Sequence, residues 1–405
     1  MSRLAFFFPS SGPGGIQSII IRLIRHAHLN GEPIIVIDYD GGYISTQLKS
    51  ISNEVFNKHV FIIKSLNDCS FMSEYTFVSF NWQISLAEFF ERKYGSRFIY
   101  WDVHSNSLDE VLNICVFGRC IKKQKIDRFL SVLTQENRVL TIDLVSKKLI
   151  EEKSKSNNIT VTGIPISHSE IDCQFSLPSP SQGLHVVYIA RAVDWKVVPF
   201  YFSMSKILKM YPDFTISCNV YTDNRNDFIN LMPYDMIFRS CEISIFDGFS
   251  MDEIISRESG RVNLSMGMGT SQFELMLYGV PTLLIPAKTS APVLEQFDPL
   301  WTHMMPDYIY GFDDSTTDIF KSLDLPDNIG LSSSGFSWSV KELVNVKEHA
   351  NLVMELYSCR TVSKILQNKA REVSCIKSKV WELKEVQLYM HWMALVNFVK
   401  KLCGV

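Results

Sequence analysis

The stretch Ser265-Met-Gly-Met-Gly-Thr-Ser-Gln-Phe-Glu-Leu-Met-Leu-Tyr-Gly-Val-Pro281 is the most informative part of this chain. It predicts a glycine-rich turn, a short helix that a glycine ends, and a buried parallel strand. Because Gly267 and Gly269 have no Cβ, a phosphate could approach the backbone there. The helix would direct its free N–H groups and the positive end of its dipole at that anion. Glu274 would lie one turn into the helix, where its carboxylate can accept hydrogen bonds from both hydroxyls of a ribose.

This pattern predicts a nucleotide-sugar site, and a structural interpretation stays open beside it. Glycine turns before helices are common, and a helix glutamate is usually only solvated. The remainder of the chain has to decide between the two.

Length and composition limit the classes of function. With 405 residues the chain exceeds one comfortable core, so two domains are expected. Its 40 basic and 43 acidic residues leave a net charge of −3, which does not favour a nucleic-acid partner. The nine cysteines show no metal-ligand spacing, which indicates reduced thiols in a cytoplasmic protein. No apolar run could span a bilayer, and residues 4–8 are too short for a signal-peptide core.

Apolar runs alternate with helical patterns, which predicts an α/β fold with parallel sheets. Residues 4–8 are the first predicted strand, and a Gly-Gly loop and a helix with one apolar stripe follow it. Residues 167–183 contain two prolines and several serines without periodicity, which indicates a linker. The alternation then restarts with a strand over 186–190 and a helix over 200–210. We therefore predict two Rossmann-like domains, 1–166 and 184–375.

Three motifs resemble retaining glycosyltransferases of the GT-B fold, in particular glycosyltransferase family 4. Gly14-Gly15-Ile16-Gln17 stands where that family has its Gly-Gly loop before a long helix. Ala190-Arg191-Ala192-Val193-Asp194-Trp195-Lys196-Val197 keeps the family's Arg and Lys at their spacing, without the flanking glycines. The family's Glu-x7-Glu pair matches at its second acid, Glu274, while Met266 occupies the first position.

The resemblance implies the GT-B architecture, in which the parallel sheets of two Rossmann-like domains face each other across a cleft. It also implies that residues 376–405 form a last helix that crosses back to the N-terminal domain. A helix lying on an anionic membrane is the alternative for that segment, which leaves a peripheral membrane contact open.

The resemblance also implies roles for single residues. Arg191 and Lys196 would neutralise a donor's diphosphate, with the Arg fork holding two phosphate oxygens. His104, in Trp101-Asp-Val-His104, would face the donor sugar, so these three are the expected catalytic residues. The other donor-binding residues are expected to be Gly14, Gly15, Gly267, Gly269, Thr270 and Glu274. Surface charges, an exposed loop histidine and simple tight turns are the competing interpretations.

Met266 departs from the family, because methionine cannot accept strong hydrogen bonds from a sugar. An unusual donor such as a deoxy sugar, recognition by backbone N–H groups of residues 267–270, or lost catalysis would each explain it. The turn also resembles that of family 28 transferases, where Gly-x-x-Thr precedes the helix glutamate. Asp38-Tyr39-Asp40 has the Asp-x-Asp form of a metal site, but its position after a strand favours a polar strand end.

We therefore expect a cytoplasmic, metal-independent, hexosyltransferase-type enzyme without a cofactor. It would transfer a sugar from a UDP- or GDP-linked donor to a saccharide acceptor, with retention of configuration. A lipid-linked acceptor, a place at the inner face of the membrane, and a role in lipopolysaccharide or O-antigen biosynthesis are implied by the resemblance only. The alternatives are a nucleotide-sugar epimerase of the same fold and a catalytically inactive partner subunit.

Overall fold

The computed structural model describes most of the chain. The described residues are 3–10, 12, 14–80, 83–103, 115–116, 119–120, 123–157, 159–166, 183–210, 212, 215–232, 241–285, 300–302 and 340–373. They form two compact units: described residues up to 166 together with 357–373, and those from 183 to 356.

The first unit contains a seven-stranded, wholly parallel sheet with the order β3-β2-β1-β4-β5-β8-β9. Its strands, with a separate short ladder β6–β7, are β1 (Leu4–Phe7), β2 (Ile34–Asp38), β3 (Val60–Ile62), β4 (Thr76–Phe80), β5 (Arg97–Asp102), β6 (Cys115–Val116), β7 (Arg119–Cys120), β8 (Val139–Thr141) and β9 (Thr160–Val161). Every residue of β1, β2 and β4 is buried, as expected for strands covered on both faces.

Helices cover this sheet. They are α1 (Gly15–Asn30), α2 (Tyr43–Ile51), α3 (Asn53–His59), α4 (Ile84–Tyr94), α5 (Lys123–Gln135) and α6 (Leu144–Ser154). The predicted apolar stripe of α1 is buried from Ile19 to Ala27, and apolar side chains of α4, α5 and α6 share one core cluster with Phe77 and Tyr100. The alternation of strands and helices predicted from the sequence is therefore confirmed in this half.

The second unit contains a six-stranded sheet with the order β12-β11-β10-β13-β14-β15, in which only β15 is antiparallel. Its strands are β10 (Gly183–Ile189), β11 (Thr215–Thr222), β12 (Cys241–Asp247), β13 (Leu264–Gly267), β14 (Thr282–Leu284) and β15 (Leu300–Trp301). Its helices are α7 (Asp194–Met210), α8 (Arg225–Asn230), α9 (Met251–Glu258), α10 (Ser271–Glu274) and α11 (Val340–Tyr357). The predicted pattern of two parallel sheets is thus confirmed.

The last described helix, α12 (Cys359–Glu372), belongs to the first unit. The N–H of Ile166 donates to the carbonyl of Tyr357 at 2.8 Å, and a parallel bridge joins Ile166 to Ser358. Residues 357–373 therefore belong to the first unit, whereas the sequence analysis assigned residues 184–375 to the second domain. The predicted linker, apart from Gly183, and the predicted C-terminal helix over 376–405 lie outside the described residues.

Polar contacts hold α12 on the first unit along its length. The hydroxyl of Ser363 donates to Glu32, in the segment after α1. The buried Lys369 donates to the side chain of Asn137, whose amide in turn donates to Glu372 at 2.9 Å. Among the helices that the structure describes, none is long and apolar enough to cross a membrane.

A buried cation stabilises the amino edge of the first sheet. The side chain of Arg138 is 1% exposed, with Nη2 3.6 Å from Glu91 Oε1. Its Nη1 donates to the carbonyl of Phe98 at 3.2 Å, and the guanidinium lies 4.8 Å from the Phe98 ring centroid. Arg138 therefore joins β8 to β5 and α4.

We predict that Arg138→Ala lowers the free energy of unfolding of the first unit by about 3–5 kcal/mol, because it leaves Glu91 buried without its cation. Urea unfolding measures this change. Lys147→Ala is the matched control, since its i,i+4 pair with Glu151 is partly exposed and is worth about 0.3–0.5 kcal/mol. Equal effects of the two substitutions would contradict the prediction.

Candidate functional site

The strand order of the second sheet reverses between β10 and β13. From β10 the chain proceeds to β11 and β12 on one side, whereas β13 is followed by β14 on the other. Tyr188 pairs with Met266, so both strands end at nearly the same level. Ligands of open α/β sheets bind outside the carboxyl ends of the strands at such a reversal. All of the residues that the sequence predicts for the second domain lie between the end of β10 and the first turn of α7, or between the end of β13 and the end of α10.

The loop after β10 carries the two predicted cations. Arg191 is exposed, and Lys196 lies in the first turn of α7 with its side chain partly buried. The N–H of Val193 donates to the Arg191 carbonyl at 2.9 Å, and the N–H of Lys196 donates to the Val193 carbonyl at 3.0 Å. This tight turn brings the two side chains to the same edge of the sheet.

The pKa of Lys196 is lowered to about 8, chiefly by burial and also by the nearby Arg191 cation, while Asp223 opposes both effects. The ammonium lies 5.2 Å from the Trp195 ring centroid. Two neighbouring cations, one of them partly desolvated, repel each other until an anion arrives. The arrangement is therefore suited to a phosphate group.

The structure separates the roles of the two glycines after β13. A Cβ on Gly267 would lie 2.6 Å from the backbone nitrogen of Gln272, so this glycine lets α10 pack on the strand end. Gly269 has a φ of +62° and nothing within 4 Å of an added Cβ, so it is the glycine with open space. The missing Cβ of Gly267 thus serves the packing of α10, and ligand binding at its backbone stays a prediction.

Side chains fix the loop from within. Ser271 Oγ donates to the Met268 carbonyl at 2.9 Å, and Gln272 Nε2 donates to the Gly269 carbonyl at 3.0 Å. Within the described residues the N–H groups of Gly269 and Thr270 donate to no other group. Two backbone donors are thus presented at the carboxyl edge.

Helix α10 is shorter than the sequence suggests. It has four residues and continues as a 3₁₀ turn over Met276–Tyr278, which Gly279 ends at a φ of 84°. The dipole of so short a helix is small, so the loop amides and the two cations have to supply most of the attraction for an anion. Glu274, the last residue of α10, is partly buried.

Met266 is part of the core. It lies within β13 and is 1% exposed. A side chain at this position packs inside the sheet, so an acid aligned here would not reach a ligand.

The first sheet has the same reversal of strand order, between β1 and β4. Gly14 caps α1 after β1, and its missing Cβ makes room for the Gln17 side chain, whereas Gly15 has open space around it. His104 lies outside the described residues. Asp38 accepts hydrogen bonds from the N–H groups of Tyr39 and Ser45 at 2.9 and 3.0 Å, which agrees with the polar strand end expected for it. Among the described residues no cluster of three or more His, Cys, Asp or Glu side chains could hold a metal ion.

One residue of the site escaped the sequence analysis. Asp223 follows β11 directly, and its Oδ1 accepts a hydrogen bond from the N–H of Ala192 at 2.7 Å. The available signal was an acid immediately after an apolar strand. The sequence could not show that this strand pairs with β10 and so brings Asp223 to Ala192.

Comparison with known proteins supports the fold. No family model matches the chain, and no curated protein matches it in sequence. A glycosyltransferase from Rickettsia africae ESF-5 superposes with a TM-score of 0.58 at 13% identity, covering 92% of this chain and 98% of that one. The chain has the GT-B fold.

Two further solved structures are similar over most of the chain. A mutant of S. aureus TarM, in complex with fondaparinux, α-GlcNAc-glycerol and UDP, has a TM-score of 0.48 at 10% identity and covers 91% of this chain and 100% of its own. The lipopolysaccharide outer core galactosyltransferase WaaB in its apo form has a TM-score of 0.47 at 15% identity, and the match covers 87% of this chain and 99% of WaaB. The fold assignment rests on the Rickettsia protein.

The burial of Met266 gives a prediction about the motif. Met266→Glu would place the family's first acid at the aligned position, but we expect it to lower the free energy of unfolding by several kcal/mol, because the carboxylate would be buried without a partner. Met266→Leu, which nearly conserves volume, should change it by less than about 1.5 kcal/mol. Thermal unfolding of both variants checks this, and a stable, more active Met266→Glu protein would show that position 266 does face the donor.

Proposed function

We propose that this protein is a glycosyltransferase that moves a sugar from a nucleotide diphosphate to a saccharide acceptor. The observation that carries the proposal is the pair Arg191 and Lys196, which follows β10 at the reversal of strand order in the second sheet. Gly269 and Thr270 follow the adjacent strand, β13. The GT-B fold, which the chain shares with a solved glycosyltransferase, supports it.

The proposed chemistry follows from the charges. When the bond between the sugar and the diphosphate breaks, negative charge accumulates on the leaving group. Fixed cations and backbone N–H groups that stabilise this charge lower the barrier without reorganising. Arg191 can hold two oxygens with its fork, and Lys196 adds a point charge beside it. No metal is required in this scheme.

The resemblance supplies the remaining assignments. Glu274 is proposed to bind the ribose hydroxyls, and His104 to face the donor sugar. Retention of configuration, a UDP- or GDP-linked donor and a lipid-linked acceptor in surface polysaccharide assembly extend the proposal in the same way. The loop that ends at Gly14 and Gly15 is proposed to serve the acceptor or the diphosphate.

Calorimetric titration with UDP, GDP, ADP, CMP and dTDP tests the site. We expect one nucleoside diphosphate to bind selectively, and Glu274→Ala to weaken it about ten- to a hundredfold, since a charge-assisted hydrogen bond contributes about 1.5–3 kcal/mol. Glu242→Ala is the control, because Glu242 is exposed at the amino end of β12, away from the carboxyl edge. If no nucleotide bound, the donor site would be refuted.

Activity assays then separate the alternatives. Transfer of sugar only in the presence of an acceptor supports the proposal, whereas an acceptor-independent release of free sugar indicates an epimerase. Nucleotide binding without either reaction indicates an inactive partner subunit.

Lys196 gives the site a pH dependence. Its amine loses its proton as the pH rises through about 8, whereas a bound diphosphate favours the protonated form. A terminal phosphate, with a pKa of about 6, is ionised throughout the alkaline range. Nucleotide affinity should therefore be highest at about pH 7, where the phosphate is ionised and Lys196 is still protonated. It should fall on the way to about pH 9, with uptake of a proton on binding in that range.

Two substitutions on α7 control this prediction. Lys196→Met should weaken binding at neutral pH and abolish the alkaline fall. Lys209→Met should do neither, because Lys209 is exposed in the last turn of α7, about 20 Å further along the helix axis. An unchanged pH profile in Lys196→Met would assign the titration to another group.

A further inference from the structure

We propose that Asp223 is a positioning residue that orients the turn carrying Arg191 and Lys196. This inference rests on the proposed function, because its purpose is to prepare the two cations for the donor's diphosphate.

The position of Asp223 in the sheet is the first argument. Ile189 pairs with Tyr221, and the N–H of Ala190 donates to the Tyr221 carbonyl at 3.0 Å, so the ladder between β10 and β11 extends to the strand ends. Beyond the strands, the N–H of Ala192 donates to Asp223 Oδ1 at 2.7 Å. The Asp223 carboxylate thus adds one more hydrogen bond between the two segments after the backbones of β10 and β11 have separated. It fixes Ala192, the residue next to Arg191.

The end of β11 is itself fixed. The Tyr221 hydroxyl donates to Glu258 at the end of α9, and Asn219 and His185 donate to the same carboxylate at 2.8 Å each. Burial would raise the pKa of Glu258, but these hydrogen bonds outweigh it and lower the pKa below its usual value. A charged, fully bonded Glu258 therefore anchors the strand from which Asp223 projects.

Charge is the second argument. Among the described residues the charged groups that act on Lys196 are Arg191, which disfavours the ammonium, and Asp223, which favours it. Asp223 is exposed and forms no ion pair within 4 Å with either cation. Its charge can therefore favour the protonated amine of Lys196 without forming an ion pair with either cation. The side chains of Arg191 and Lys196 stay available to the proposed diphosphate.

The two contributions can be separated by substitution. Asp223→Asn removes the charge but keeps an oxygen that can accept the hydrogen bond from the N–H of Ala192. Asp223→Ala removes the charge and the hydrogen-bond acceptor. Asp227→Asn is the matched control, since it removes an exposed charge four residues further along, on α8.

The charge contribution is measured in the free protein. The amine of Lys196 is followed by NMR after ¹³C-methylation of the lysines and assigned with Lys196→Arg. We expect its titration to shift to lower pH in Asp223→Asn and to stay unchanged in Asp227→Asn. Titration at the wild-type pH in Asp223→Asn would overturn the electrostatic role.

The geometric contribution is measured by calorimetry with UDP and GDP at about pH 6.5, below the wild-type titration of Lys196. Asp223→Ala should lose about tenfold or more in affinity, while Asp223→Asn should lose clearly less. Equal losses would overturn the role in orienting the turn. If wild type bound none of the five nucleotides titrated above, the proposed function would fail. If wild type bound one of them and Asp223→Ala bound it equally tightly, this inference alone would be overturned.

Discussion

Parallel pairing of β10 with β13 is the constraint on which the candidate site depends. The chain visits β11 and β12 before it returns to the other side of β10, so the two central strands send their following loops away from each other and leave their carboxyl ends open. The pairing of Tyr188 with Met266 sets the height of both ends. Arg191 and Gly269 reach the same edge although almost eighty residues separate them, and no local pattern could achieve this.

The same constraint explains the chemistry of the individual residues. Because α10 returns at once over the end of β13, Gly267 has no room for a Cβ, and the open glycine is Gly269. Because α7 begins three residues after Arg191, Lys196 is drawn against the sheet and partly desolvated beside another cation. The two cations therefore repel each other, and under the proposed function a diphosphate would relieve this repulsion. A single carboxylate, Asp223, moderates it without cancelling it.

The periodicity of apolar residues made the fold predictable. The site depends on contacts between residues far apart in the chain, and the sequence does not show these. The apolar run of residues 4–8 identified a parallel strand, which the structure has as β1. The predicted helix over 200–210 starts too late, because α7 begins at Asp194 and accommodates Pro199 in its second turn. Strand β12 was not predicted, because an edge strand that is only partly buried lacks the continuous apolar signal.

Helix α12 shows where such predictions end. Its amphipathic pattern indicates that one face is buried but carries no information about the partner, and the partners are Glu32 and Asn137, more than two hundred residues earlier. Since α12 packs against α1 and β5, the first unit is built from both ends of the described chain. That unit cannot complete its packing until the second unit has been synthesised. The two units are therefore linked in folding, even though each sheet has its own core.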